Sequence, residues 1–411
     1  MEEKQVNNEN EEFPLYTEKI VVNPKKKYKR LINILWVILC AVIFGILASF
    51  VMVIVFPMIN KRFNEVPKTP IHLELNKDEY IIKDDVEEDE KDPDIGQAKP
   101  QGAKEIKNIE EIVENALKSM VVIDYGTQLL QNEENQNSQS VGLIVGDVND
   151  NIIILTSTYV TSKGICNVFI GDSISLEANI LGSDNDSGLS IISISKRNIS
   201  DIDKIDYNVA VLGNSYMLQE NDKVIAIGKL EGNIVSANVG KIVSLDTESV
   251  VDNVYDILNT NINVDSQDYC FLYNNIGNVV GISRDNAAQD QLSVMGVSNL
   301  KALIERLTEN KPVNYLGIKM SNITPSISEK YNLPMGIYIT SVVIDSPAYN
   351  AGLQAGDVIV ALNHNPVLAI QSFNEQLYQY DSGQNINVTV KRAGRDNYRE
   401  LLYVINPTVR N

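Results

Sequence analysis

The chain has 411 residues, 44% hydrophobic and 22% charged, which is room for two or three domains with ordinary globular cores. Its formal net charge of −19 excludes a nucleic-acid binder, because neutralising phosphates requires Lys and Arg clustered on the folded domains. The longest basic cluster, "KKKYKR" from Lys25 to Arg30, lies elsewhere, at the edge of an apolar run.

That run has no charged residue from Leu31 to Asn60. Its most apolar part, Ile34 to Phe56, would be about 34 Å long as a helix, enough to cross a hydrocarbon core of about 30 Å. A cleaved signal peptide has a shorter apolar core and no such tail before it, so the sequence predicts a cytoplasmic tail over 1–30 and a retained transmembrane helix over 31–57. Lys25, Lys26, Lys27, Lys29 and Arg30 outnumber Lys61 and Arg62 on the other flank, which puts the amino terminus inside and the rest of the chain outside the cytoplasm. Residues 58–108, with the acid run "DDVEEDEKDPD", hold too little apolar surface for a core and read as an acidic disordered linker.

A helix follows, with Ile109, Ile112, Val113, Ala116 and Leu117 on one face. The pattern then changes to some ten short strands broken by turns, among them "SVGLIVG", "NIIILTS" and "DKVIAIGK", which indicates barrels or a sandwich. This mainly β block closes with the helix "VSNLKALIERL", and a second module begins near Val313. Of three cysteines, Cys40 falls in the apolar run, and pairing between Cys166 and Cys270 is left open by the sequence. No Cys/His spacing suits zinc, and no cofactor is implied.

The order of these pieces resembles the membrane-anchored HtrA/Deg family of serine proteases, in which a trypsin-like double β-barrel (here 109–308) precedes a PDZ domain (here 313–408). "SVGLIVGDVNDNIIILTSTYV" looks like the segment leading to the family's histidine, "LGSDNDSGLSIISI" like the one with its aspartate, and "NTNINVDSQDYCFLYNNIGNVVGI" like the one with its serine. "YLGIKM" and "SPAYNAGLQAGDVIVALNHNPV" resemble the PDZ domain and are the most specific match.

Laid on that pattern, the catalytic positions are occupied by other residues. Tyr159 stands where "TNxHV" has its histidine, and a phenol with an ordinary pKa near 10 does not serve as a serine's general base at neutral pH. Gly188 stands at the aspartate, with Asp184 and Asp186 reachable only by a slip of register. The serine of "GNSGGP" falls on Asp268 or Tyr269, and Cys270 and Phe271 replace residues whose small size opens the oxyanion hole. A Cys270 nucleophile would need a neighbouring histidine, yet the chain has only His72, in the linker, and His364, in a β-turn of the PDZ module. A Ser-Lys dyad using Lys163 or Lys241 lacks an evident nucleophile loop.

The PDZ module keeps its parts. Tyr315, Leu316, Gly317 and Ile318 form the stretch whose backbone amides would meet a peptide's terminal carboxylate, with Ile318 and Met320 lining the pocket and "SFNEQLYQY", Ser372 to Tyr380, closing the groove. The expectation is a membrane-tethered HtrA-like pseudoprotease of a bacterial cell membrane, a scaffold or regulator in protein quality control. It would bind protein C-termini or unfolded segments and, by family resemblance, form a homotrimer. An active endopeptidase and a chaperone-like holder of unfolded chains are the competing readings.

Overall fold

The computed structural model describes residues 34–45, 71–80, 108–126, 139–160, 165–171, 174–199, 205–230, 233–264, 269–283 and 290–410. Residues 34–45 are helical, with Ile34, Trp36 and Phe44 exposed, and belong to a separate unit over Met1–Thr69. Among the described residues no helix is long and apolar enough to cross a membrane, and the remainder of the span expected over 31–57 lies outside them.

The second unit, Pro70–Asn411, holds the rest. Helix α1 (Ile109–Ser119) has Glu110 and Glu111 in its first turn and Lys118 in its last, charges that suit the helix dipole, and it buries Ile112 and Ala116. The first barrel comprises β1 (Met120–Asp124), β2 (Gln139–Val148), β3 (Asn151–Thr156), β4 (Ile165–Ile170), β5 (Ile174–Asp184) and β6 (Leu189–Ser195), closed in the order β1-β2-β3-β6-β5-β4. The second comprises β7 (Lys223–Leu230), β8 (Asn233–Val250), β9 (Asn253–Asn263), β10 (Tyr269–Asn274), β11 (Val279–Ser283) and β12 (Gln291–Gly296), and closes in the equivalent order.

The period-2 pattern explains why "NIIIL" is apolar throughout. Ile152 and Ile154 of β3 enter the first barrel's interior, while Ile153 and Leu155 face outward into the larger core shared with the second barrel and the helices. Phe271 and Tyr273 of β10 supply the other side of that core, and Cys270 and Leu272 point into the second barrel. Helix α2 (Lys301–Thr308) then buries Leu303, Ile304 and Leu307 and leads to the PDZ domain.

That domain comprises β13 (Asn314–Tyr315), β14 (Ile318–Asn322), α3 (Pro325–Tyr331), β15 (Ile337–Val342), α4 (Pro347–Ala351), β16 (Val358–Leu362), β17 (Asn365–Pro366), α5 (Ile370–Leu377), β18 (Ile386–Ala393), β19 (Tyr398–Ile405) and β20 (Thr408–Val409). Its sheet runs β14-β15-β16-β18-β19, with β17 on β16, and β13 pairs separately with β20. Thr324 and Ser346 cap α3 and α4 by accepting from Ile327 N and Tyr349 N, each followed by a proline in the first turn. Asp357 is buried and accepts from Nε and Nη2 of Arg392 at 2.6 and 2.7 Å. The expected architecture, two six-stranded barrels of trypsin-like type followed by a PDZ domain, is thus the observed one.

One part of the linker departs from expectation. Residues 71–80 lie extended against the folded body. Leu73 is buried, Leu75 N donates to Glu305, and Lys301 pairs with Asp78 at 2.8 Å with both side chains nearly covered. The same segment reaches the PDZ domain, where Gln371 of α5 donates to the Asp78 carbonyl and Asn322 to the Tyr80 hydroxyl. The alternating Ile71, Leu73 and Leu75 supply the apolar side that acidic neighbours mask in a composition count. The rest of the segment expected over 58–108 lies outside the described residues, apart from Asn108.

Candidate functional site

Tyr159 follows β3 in a loop pinned from β6: the Ser190 hydroxyl donates to Thr158 O and accepts from Val160 N. The tyrosine is half-buried and lines a cleft of about 400 Å³ with Asp184, Lys311 and Arg410. Gly188 closes the β5–β6 turn at φ 72°, and a Cβ there would lie 3.8 Å from the Ser157 carbonyl. The positions read as histidine and aspartate are therefore neighbours in space, but they present a phenol and no side chain. Asp184, the neighbour that a slip of register would bring to the aspartate position, is engaged within its own turn. Its carboxylate accepts from Ser187 N and Oγ at 3.0 and 2.7 Å, which closes the turn. Asp186 lies 3.2 Å from Arg410; burial pushes its carboxyl up in pKa, opposed by that guanidinium.

Of the two candidates for the serine position, Asp268 lies outside the described residues and Tyr269 opens β10, half-buried and opposite Lys229. Cys270 is 1% exposed in the second barrel's interior, and its backbone N–H donates to Ser283 Oγ at 2.7 Å. Cys166 sits in the first barrel's core, where burial pushes its thiol up to about 11. The two cysteines are thiols in separate cores, so the open disulfide pairing is not made. Lys241 is exposed on β8 and donates to Asn221, unsuited to act as a desolvated base, and Lys163 is outside the described residues. His72 and His364 are both exposed.

The carboxylate loop has a different content. Gly317, at φ 83°, has no room for a side chain, since a Cβ would come 2.2 Å from Ser346 Cβ. The amides of Leu316, Gly317 and Ile318, expected to meet a peptide's carboxylate, converge on a carboxylate of this chain, that of Asp252. Leu316 N reaches Asp252 Oδ2 at 2.8 Å, Gly317 N reaches Oδ1 at 2.9 Å, and Ile318 N reaches Oδ1 at 2.9 Å. Asp252 also donates its own backbone N–H to the Ile318 carbonyl at 2.6 Å.

Asp252 belongs to the second barrel. It is the second residue of the two-residue turn joining β8 to β9, at a left-handed φ of 62° that Asp and Asn tolerate better than other side chains. The groove walls hold the tip from both sides: Asn374 of α5 donates to Asn253 Oδ1 at 2.7 Å, and Ser249 Oγ approaches the Met320 carbonyl. Ile318 and Met320 are fully buried in one cluster with Tyr255, Ile370 and Phe373, against which Val250 and Val254 pack. Tyr315 pairs with Thr408 instead of meeting the carboxylate. The closing helix spans Ile370–Leu377, starting and ending earlier than expected.

Arg410 completes the arrangement. Held by its backbone N–H on Val313 O, it places a guanidinium that is 6% exposed beside Asp184, Asp186 and Asp252, at 3.6, 3.2 and 3.9 Å. Burial pushes the Asp252 carboxyl up, and the loop amides and Arg410 work against that push. Asp252, Asn253, Asn374 and Arg410 were not singled out from sequence. The only local signal was an aspartate at a valine-flanked turn, "VVDNV".

A trypsin-like double barrel joined to a PDZ domain is the class of protein that this architecture defines. Residues 314–401 match the family model described as PDZ domain. The chain is 25% identical over 282 residues to "Serine protease Do-like HtrA" of Lactobacillus helveticus, covering 63% of this chain and 67% of that protein. It is 24% identical over 295 residues to the protein of that name from Bacillus subtilis (strain 168), covering 66% and 64%. To "Probable periplasmic serine endoprotease DegP-like" of Hahella chejuensis it is 26% identical over 254 residues, covering 59% and 52%. The match thus spans between about half and two thirds of these relatives' own length. Among solved structures, "HtrA-type protease AlgW with tripeptide" superposes with a TM-score of 0.51 at 20% identity, covering 74% of this chain and 98% of that one, a likeness of fold. The resemblance to the HtrA/DegP family of serine proteases with a PDZ domain therefore holds across both the barrels and the PDZ domain.

Proposed function

We propose that this chain is a membrane-tethered, catalytically inactive HtrA-type protein that acts outside the cytoplasm as a PDZ scaffold or regulator in protein quality control. The observation that carries the reading is the pairing of Tyr159 and Gly188 at adjacent positions in a chain whose two histidines, His72 and His364, are exposed outside both barrels. Acyl transfer by a serine needs a base within hydrogen-bond reach of the hydroxyl and small residues around the oxyanion. Here the base is a phenol, the orienting acid is absent, and Cys270 and Phe271 are packed as core residues.

The tether rests on the uncharged run from Leu31 to Asn60 behind the basic cluster Lys25–Arg30. Binding of protein C-termini or unfolded segments rests on Leu316, Gly317 and Ile318, whose amides converge on a single carboxylate, with Tyr315 and Met320 flanking them. A homotrimer follows from the family resemblance alone.

The test uses the full chain purified in detergent, exposed to a fluorophosphonate probe and to unfolded casein. Neither labelling nor cleavage is expected. Labelling abolished by one serine substitution would establish an active endopeptidase and overturn the reading.

A further inference from the structure

The carboxylate loop is filled from within the same chain. Asp252 offers it what the last residue of a bound peptide would offer: a carboxylate to the amides of Leu316, Gly317 and Ile318, and a backbone N–H to the Ile318 carbonyl. Each amide carries one hydrogen, so the loop holds one carboxylate at a time. The tip is not lying there by chance of proximity, because Asn374 of the groove helix binds Asn253, and Arg410 donates to the Val251 carbonyl at 3.4 Å. Asp252 itself is 1% exposed.

We infer that Asp252 is the resident ligand of the PDZ loop, and that a partner polypeptide with a free, apolar carboxyl terminus binds by displacing the β8–β9 tip from the groove. The inference rests on the peptide-binding reading proposed above and adds its competitor. Displacement costs the partner the contacts of Asp252, Asn253 and their valine flanks, so its apparent affinity falls by the fraction of molecules whose tip is undocked. Binding at the PDZ domain and release of the second barrel's hairpin are then one event. The barrel reports the ligand.

The experiment uses full-length protein in detergent and a fluorescein-labelled decapeptide ending in Tyr-Val-Phe, prepared as the free acid and as the amide. Asp252→Ala should bind the free acid at least tenfold more tightly than the wild type, and the gain for the amide, which leaves the freed loop amides without a carboxylate, should be smaller. In the wild type, saturating peptide should raise deuterium uptake across 249–255. Where Asp252→Ala does not melt cooperatively, Asp252→Asn, which keeps the shape and removes the charge, should give a gain in the same direction. Equal affinity of wild type and variant, with the acid still preferred over the amide, overturns the inference while leaving peptide binding in place. No binding by either protein, both folded, overturns peptide binding itself and the inference with it.

Discussion

At the Tyr159 loop and the Gly188 turn the backbone brings two positions together, and the chemistry depends on which side chains are mounted there; at Leu316 to Ile318 the backbone is itself the chemical group. A side-chain site is emptied by single substitutions that leave the fold unharmed, since Tyr159, Gly188 and Cys270 are each accommodated without disturbing a strand. An amide site persists for as long as its turn does, and the turn is fixed by the absence of a side chain at Gly317. On the function proposed above, the same fold sheds one site easily and keeps the other.

The sharpest way to break this comparison is at Gly317. Gly317→Val forces a β-branched residue into φ 83° with its Cβ overlapping Ser346, and should cost at least about 3 kcal/mol, read as a lower urea midpoint. A loss under about 1 kcal/mol would mean that the loop does not depend on its glycine. Next comes Arg410→Ala. It strips the cation from the buried Asp184 and Asp252 carboxylates and should cost about 3 kcal/mol by the same measurement, in contrast to an exposed Arg399→Ala control.

A smaller effect is expected at the other site. Cys270→Ala should cost about 1 to 2 kcal/mol as a core truncation, and the native thiol should resist iodoacetamide until the chain unfolds. Rapid alkylation in the folded protein would instead mark a reactive thiolate and restore a chemical role to that loop. The smallest effect concerns pH and the 71–80 segment. The hydrogen bond that His72 donates to the Glu309 carboxylate raises the pKa of His72, so that contribution is full below 6.5 and fades as pH rises through the raised value. Burial works against Glu309, but Lys311 and His72 hold it below 4.5, so its share is present above 4.5 and lost as pH falls. Docking should be tightest between those limits. Protection of the Leu75 amide, corrected for intrinsic exchange, should fall about twofold from pH 6 to 8.5, and His72→Gln should remove the difference.

Local pattern made the barrels and the PDZ domain legible, because short strands broken by turns and the glycine turn of "YLGI" are written within a few residues. The segments read as carrying the triad positions are local patterns of the same kind, and Tyr159, Gly188 and Tyr269 fall after β3, in the β5–β6 turn and at the start of β10. What stayed hidden was long-range. Asp252 meets Leu316 across 64 positions of sequence, and nothing at "VVDNV" names its acceptor. The "IHLEL" stretch did carry an alternating signal, but the acids around it were weighed as one composition and its three apolar residues were averaged away.

Residues 71–80 have a mechanical consequence. Any pull on the chain before residue 71 enters the folded body here, at Ile71, at the His72–Glu309 contact and at Leu73, and then at the Asp78–Lys301 pair, before it reaches a barrel strand. The load path does not stop at the barrels, because Asp78 also receives Gln371 and Lys77 lies 3.9 Å from Glu375, both on the helix that walls the groove. Tension peeling this segment away would strip two contacts from α5, the helix whose Asn374 holds the Asp252 tip through Asn253.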